Sequence, residues 1–234
     1  MKRGFTTLSL GLQVIIVSFI LSCSPLSKYK NSVQGWEADI RKFEHLDSTQ
    51  VYPGDAVLFM GSSSIRLWST LQEDMKPYNT IQRGFGGAKI SDLAWYTPRI
   101  VYPHKCQAIV IFVANDITGS DEDKTPQEIA IIFNHIVKTI RKKLPEIPIF
   151  YVEVTPTESR WKVWPRIQEG NKLVKHECEK LTNVHFIETA AYFLNENGTP
   201  EASFFLKDKL HLTREGYNVW TRVIKKNLDA TLKR

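Results

Sequence analysis

Several things this sequence has little of narrow the field at once. Cysteine is scarce, with three in 234 residues, and none sits at the spacing of a zinc ligand pair or a redox pair. No unit repeats at a fixed period and no segment is of low complexity, so neither a repeat array nor a biased, disordered tract is indicated. The 31 basic residues exceed the 25 acidic ones for a formal charge of +6, yet they are interspersed with acids. Without a basic block, nucleic-acid binding gains no support. Long apolar runs are missing too. The longest, from about Leu8 to Leu21, is short of the roughly 20 residues that cross a bilayer.

What is present begins at the N-terminus. Lys2 and Arg3 precede that apolar run, which ends in Ile20-Leu21-Ser22-Cys23. A positive start, a short apolar middle and a small residue before the cut describe a secretory signal. A Cys directly after the small residue resembles the lipobox of bacterial lipoproteins. The expectation is a signal over residues 1–22, acylation of Cys23, and a polar tether over residues 23–35. The chain would then be exported and held to a membrane by lipid. A single anchor helix with an incidental Cys is the competing reading. Setting Lys2 and Arg3 aside leaves 29 basic residues against 25 acidic ones, or +4. Cys106 and Cys178 are expected as free, buried or half-buried thiols.

Residues 36–234, 42% hydrophobic over the whole chain, are enough for one domain with a sizeable core. Trp36, Ile40, Phe43 and Leu46 recur at helical spacing, so residues 36–48 are expected as an amphipathic helix. Strand-length runs, the clearest of them apolar on both faces as buried parallel strands are, occur at 56–60, 79–83, 108–113, 148–154 and 184–187. Helical patterns fall between or after them, near 90–102, 126–143, 161–181 and 213–229. This alternation predicts an α/β fold, a parallel sheet between layers of helices. In such sheets ligands bind beyond the carboxyl ends of the strands.

The residues at those ends form a restricted set. The first strand ends in Gly61-Ser62-Ser63-Ser64, where a serine could cap the next helix or present its hydroxyl near helix N–H groups that stabilise negative charge. The second ends in Arg83-Gly84-Phe85-Gly86-Gly87, a tight turn or a backbone laid close to a ligand. The third ends in Ala114-Asn115-Asp116, where the Asn closes a turn or donates its amide to an oxyanion. Near the C-terminus, Asp208 and His211 lie three apart, just before Thr213, the expected N-cap of the last helix. At that distance a carboxylate can hold the near imidazole nitrogen while the far one takes a proton from a serine. A metal-ligand pair would need further ligands, and His45, His104, His135, His176 and His185 lie in unrelated contexts, as surface or packing residues.

In that order these residues resemble the SGNH, or GDSL-like, hydrolases, named for Ser, Gly, Asn and His in four blocks. The resemblance covers residues 54–228. It implies the flavodoxin-like form of the fold, a three-layer α/β/α sandwich on a five-stranded parallel sheet. It assigns the nucleophile to Ser63, with Ser62 where the family usually has Asp. The oxyanion hole would be formed by Ser63, Gly87 and Asn115, with Val113 standing in place of the third block's usual glycine. Asp208 and His211, followed by Gly216 and Tyr217, fit the last block. The implied activity is ester hydrolysis without metal or organic cofactor.

No apolar insertion is present to form a lid or a long acyl tunnel, so short acyl groups, acetyl above all, are expected. Trp161 and Trp164 follow the fourth strand and are candidates to stack on a sugar ring or to pack against the domain. Export would put such an enzyme among glycans, so an acylated carbohydrate is the expected substrate. A lysophospholipid or platelet-activating-factor-like lipid is the alternative. A catalytically silent binding lipoprotein is the alternative of another class.

Overall fold

Residues whose side chains must leave water on both faces of a strand leave the chain one arrangement, a sheet covered on both sides. In the computed structural model, which describes residues 25–232, the five expected runs form β1 (Val57–Gly61), β2 (Thr80–Gly84), β3 (Ala108–Phe112), β4 (Ile149–Val152) and β5 (Val184–Ile187), the edge strand β2 being largely polar. All pairings are parallel, in the order β2-β1-β3-β4-β5. The expected α/β fold is therefore present. The first two strands sit one residue later than the hydropathy runs suggested, because the ladder continues through Gly61 and Gly84. β4 is shorter than expected: beyond Val152 the backbone N–H of Val154 donates to the Asn171 side chain rather than to a neighbouring strand.

The period of two along each strand divides the core. Leu58, Met60, Ile109 and Ile111 face one apolar cluster, while Val57, Phe59, Val110 and Phe112 face another. The first cluster is covered by α1 (Glu37–Thr49), α4 (Ile90–Val101), α5 (Pro126–Arg141) and α6 (Trp164–Lys180). The second is covered by α2 (Ser63–Arg66), α3 (Leu71–Asp74) and α7 (Arg214–Leu232). The short α2 and α3 had no hydropathy signal, being one turn each. Local signals set the start of α5: Thr125 caps it, Pro126 takes the first position, and Glu128 closes the capping box.

One expectation is corrected. From Pro25 on, the predicted tether is folded onto the domain: residues 27–29 and 32–36 are 3-10 turns, and Leu26 and Val33 are buried. The Tyr96 hydroxyl donates to the Val33 carbonyl, and Lys28 pairs with Glu128. A few apolar residues in a polar stretch suffice to dock it, since each buried Val or Leu gains about 1.5–3 kcal/mol. The expected signal segment and Cys23 lie outside the described residues. Cys106 and Cys178 are free, and burial pushes both thiols up to about 12.

Candidate active site

The order β2-β1-β3 puts the chain's reversal of direction between β1 and β3, and the crevice of a doubly wound sheet opens there. β1 delivers Ser63 to that edge. Gly61 passes straight into Ser62, whose N–H donates to Phe112 O at 3.0 Å, and α2 starts at Ser63. The serine is half-buried at the first position of a helical turn. Its N–H, like that of Gly87, donates to no protein group among the described residues.

The Asp208–His211 segment reaches the same edge from the far end of the chain. Its turn passes through Lys209 in the left-handed region, φ 59°. This lets Asp208 Oδ1 accept the N–H groups of both Leu210 and His211 at 3.0 Å, an Asx-type turn built into the motif. Asp208 Oδ2 lies 2.6 Å from His211 Nδ1, and His211 Nε2 lies 2.9 Å from Ser63 Oγ. A carboxylate can only accept, so Nδ1 carries the ring proton and Nε2 is left as the acceptor for the serine hydroxyl. Burial pushes the Asp208 carboxyl up, but the His211 ring and the two backbone donors outweigh it and hold the group below its ordinary range. It stays ionised. The three side chains form one continuous hydrogen-bonded chain, an arrangement able to raise the nucleophilicity of a hydroxyl.

The two glycine- and asparagine-bearing loops are clamped to each other. Asn115 Nδ2 donates to Ala88 O at 3.1 Å. Asp116, beside it, accepts the N–H of Ile90 at the start of α4 and pairs with buried Lys124 at 3.1 Å. Burial raises the Asp116 carboxyl, and Lys124 is the chief group opposing that. Gly87 has a φ of 82°, where a side chain would be strained. An added Cβ there would sit 3.4 Å from the Trp36 ring. Sequence reasoning took Trp36 as one more apolar residue of a helix; in the fold it flanks the Gly87 loop.

A cavity of about 20 Å³ opens beside the serine, lined by Ser63, Phe112, Asn115, Thr155, Arg160 and Trp220 among others. Thr155 Oγ1 and Trp220 Nε1 are buried there without a partner among the described residues. Neither residue was singled out from the sequence, because the sheet gathers them from β4's end and from the middle of α7. Trp161 and Trp164 do not line this cavity. They stack on each other with centroids 6.2 Å apart, and Trp164 is only 6% exposed. For Trp164 the packing alternative holds, since it starts α6 with its ring in the core. Trp161 is half-buried beside it.

The family's profile, that of the GDSL-like Lipase/Acylhydrolase family, matches residues 47–219. The chain belongs to this family. It is an ester hydrolase, an acylhydrolase of the GDSL type. It is 26% identical over 166 residues to the human platelet-activating factor acetylhydrolase IB subunit alpha2, covering 69% of this chain and 70% of the relative. Among solved structures it is similar to one from Streptococcus pneumonia named for platelet activating factor, with a TM-score of 0.74 and 20% identity. That match covers 87% of this chain and 97% of the other. A GDSL-like lipase from Bacteroides thetaiotaomicron matches with a TM-score of 0.66 and 18% identity, over 83% and 98% of the two chains. An acetyl xylan esterase from Geobacillus stearothermophilus gives 0.62 and 16%, over 76% and 96%. These similarities fit the GDSL-type fold described above.

Proposed function

We propose that this acylhydrolase removes short acyl groups, acetyl above all, from an acylated carbohydrate by two-step transfer through Ser63. The observation that carries the mechanism is the unbroken chain from Ser63 Oγ through His211 to Asp208. Ser63 Oγ attacks the ester carbonyl as its proton passes to His211 Nε2, and the alcohol leaves with that proton. Water then attacks the acyl-serine, giving a proton to His211, which returns it to Ser63 as the acid departs. Asp208 stabilises the imidazolium in both halves. The N–H groups of Ser63 and Gly87 and the amide of Asn115 hold the oxyanion.

The short acyl preference is supported by the cavity beside Ser63, which Phe112, Leu212 and Trp220 close with buried side chains. A carbohydrate is supported by the openness of the site, where the Asp208 side chain is 48% exposed and that of His211 23%. A bulky glycan can approach it. The similarity to the acetyl xylan esterase fold agrees with this. A second reading, the acetyl ester of a phospholipid, draws on the relatives named for platelet-activating factor.

The test is a panel assayed on purified protein: acetylated xylan, an acetyl glycerophospholipid, and p-nitrophenyl esters of two to eight carbons. Turnover is expected to fall by about tenfold or more for each added methylene that the closed pocket cannot take. Acetate release from xylan is expected to exceed that from the lipid. The reverse order would transfer the assignment to the lipid, and equal rates from two to eight carbons would remove the short-chain reading.

Export as a lipoprotein through Cys23 belongs to the same proposal, supported by Lys2, Arg3, the apolar run and the position of the cysteine. In a bacterial host, palmitate label should enter the wild-type chain and be absent from Cys23→Ser. Equal labelling of both would overturn it.

A further inference from the structure

Arg160 lines this site, and neither the family blocks nor the triad uses it. It follows β4 in a 3-10 turn, residues 158–163. Its guanidinium donates to the carbonyl of Ala114 and, at 2.6 Å, to Asn115 Oδ1. The group is desolvated enough to lower its affinity for a proton below that of an ordinary arginine. Yet no carboxylate forms an ion pair with it among the described residues; Asp116 and Asp123 favour its charge only from further off. The side chain is half-buried, and a partly desolvated charge gains most from charge-assisted hydrogen bonds. Here both observed bonds go to the strand end that carries the amide.

The consequence for Asn115 is directional. An amide has an oxygen end that accepts and a nitrogen end that donates. With Arg160 on Oδ1, reversing the amide would set donor against donor and lose a charge-assisted bond. Nδ2 is therefore turned away from Arg160. One of its hydrogens goes to Ala88 O and the other is left over. The cation on Oδ1 also polarises the amide and strengthens that remaining donor. The same turn reaches the other half of the site: Ser159 N–H donates to Lys209 O at 3.1 Å, and Glu158 pairs with Lys209 in the Asp208–His211 segment. One short loop thus holds both the asparagine and the histidine.

We infer that Arg160 is a positioning residue for ester hydrolysis, fixing the Asn115 amide so that its free N–H faces the oxyanion and charging it from behind. Lysine cannot substitute, since a point ammonium lacks the planar fork that spans Ala114 O and Asn115 Oδ1. The inference rests on the proposed oxyanion role of Asn115.

The experiment is a double-mutant cycle on p-nitrophenyl acetate with Arg160→Ala, Asn115→Ala and the pair, alongside Ser63→Ala. Asn115→Ala is expected to lower kcat by about 100- to 1,000-fold. Arg160→Ala should lower kcat by about 10- to 100-fold with KM within about twofold, and the double variant should be no slower than Asn115→Ala alone. Arg160→Lys should recover little, and added guanidinium ion should restore part of the Arg160→Ala loss. Losses that multiply in the double variant, or a raised KM with kcat intact, would overturn the inference. Asn115→Asp keeps the test alive if Arg160 variants fail to fold. Its carboxylate keeps the guanidinium partner but has no N–H to offer the oxyanion, so it should be as slow as Asn115→Ala; near-wild-type turnover would overturn the inference as well. Ser63→Ala separates the two levels. If it retains turnover, the reading of the whole site falls and Arg160 with it. If it is inactive while the cycle is additive, only Arg160 falls.

Discussion

Ser63→Ala is expected to lower kcat on a short ester by about 10⁴-fold or more, the loss seen when a serine nucleophile is removed from a working unit. The reason lies in the continuity of the contacts. Asp208 holds the His211 ring at 2.6 Å and the ring holds Ser63 Oγ at 2.9 Å, so deleting the last link leaves the other two with nothing to activate. Adding His211→Ala to Ser63→Ala should therefore cost little more. A fluorophosphonate probe should label the wild type at Ser63, read by peptide mass spectrometry, and leave the variant unlabelled. That labelling also separates an enzyme from a silent binding protein of the same fold. The neighbouring serines are the internal control. Ser62 is 1% exposed and uses its carbonyl to accept the N–H groups of Ile65 and Arg66. Ser64 is buried, and its carbonyl accepts the Tyr217 hydroxyl. Alanine at either should lower turnover far less than at Ser63. Wild-type rates in Ser63→Ala would end the assignment.

Gly61→Ala is expected to have the largest effect on folding. Gly61 is the last residue of β1, with a φ of 150°. A Cβ built there would lie 1.8 Å from the carbonyl oxygen of Phe112 in the adjacent strand. That atom is backbone in the middle of the sheet, and the Ser62 N–H donates to it at 3.0 Å. No side-chain rotation can relieve the clash. Either β1 and β3 part at their carboxyl ends or the protein does not fold; the cost should exceed about 4 kcal/mol, the range reserved for strain at a special backbone position. Denaturant titration followed by circular dichroism reads it directly. A midpoint within error of the wild type would mean that the strand end is far more pliable than this geometry allows. Because Ser63 is two residues on, any folded remainder should be inactive as well.

Much of this was legible in the residues alone. Ala-Ile-Val-Ile-Phe at 108–112 can be buried on both faces only as an inner parallel strand, and β3 is that strand with all five residues buried. The alternation of such runs with helical patterns determined the layer order. Asp208 and His211 were legible as a pair because an aspartate three residues before a histidine can satisfy its N–H and reach its ring within one turn, which is the contact observed. The resemblance selected Ser63 from three serines that composition does not distinguish.

Other features depended on chain segments that sequence spacing does not relate. Trp36 beside Gly87, Thr155 and Trp220 in one cavity, and Arg160 on Asn115 are contacts between positions 45 or more residues apart, made by the order of strands rather than by any local period. The docked segment from Pro25 to Trp36 was missed for a related reason: Leu26 and Val33 alone carry too little apolar signal to mark a packed turn, and become core only where the sheet's outer helices receive them. For Trp164, where stacking on a sugar and packing were both open, the start of α6 turns the ring inward.

The sequence by itself determined the α/β layering, the strand-end positions of Ser63, Gly87 and Asn115, and the short-range geometry of Asp208 and His211, because these follow from periodicity and single turns. Only the tertiary structure decided that Ser63 and His211, 148 residues apart, touch, and that a lone guanidinium backs the Asn115 amide. The physical reason is that hydropathy specifies which residues leave water, while the register and order of the parallel strands specify which of them then meet.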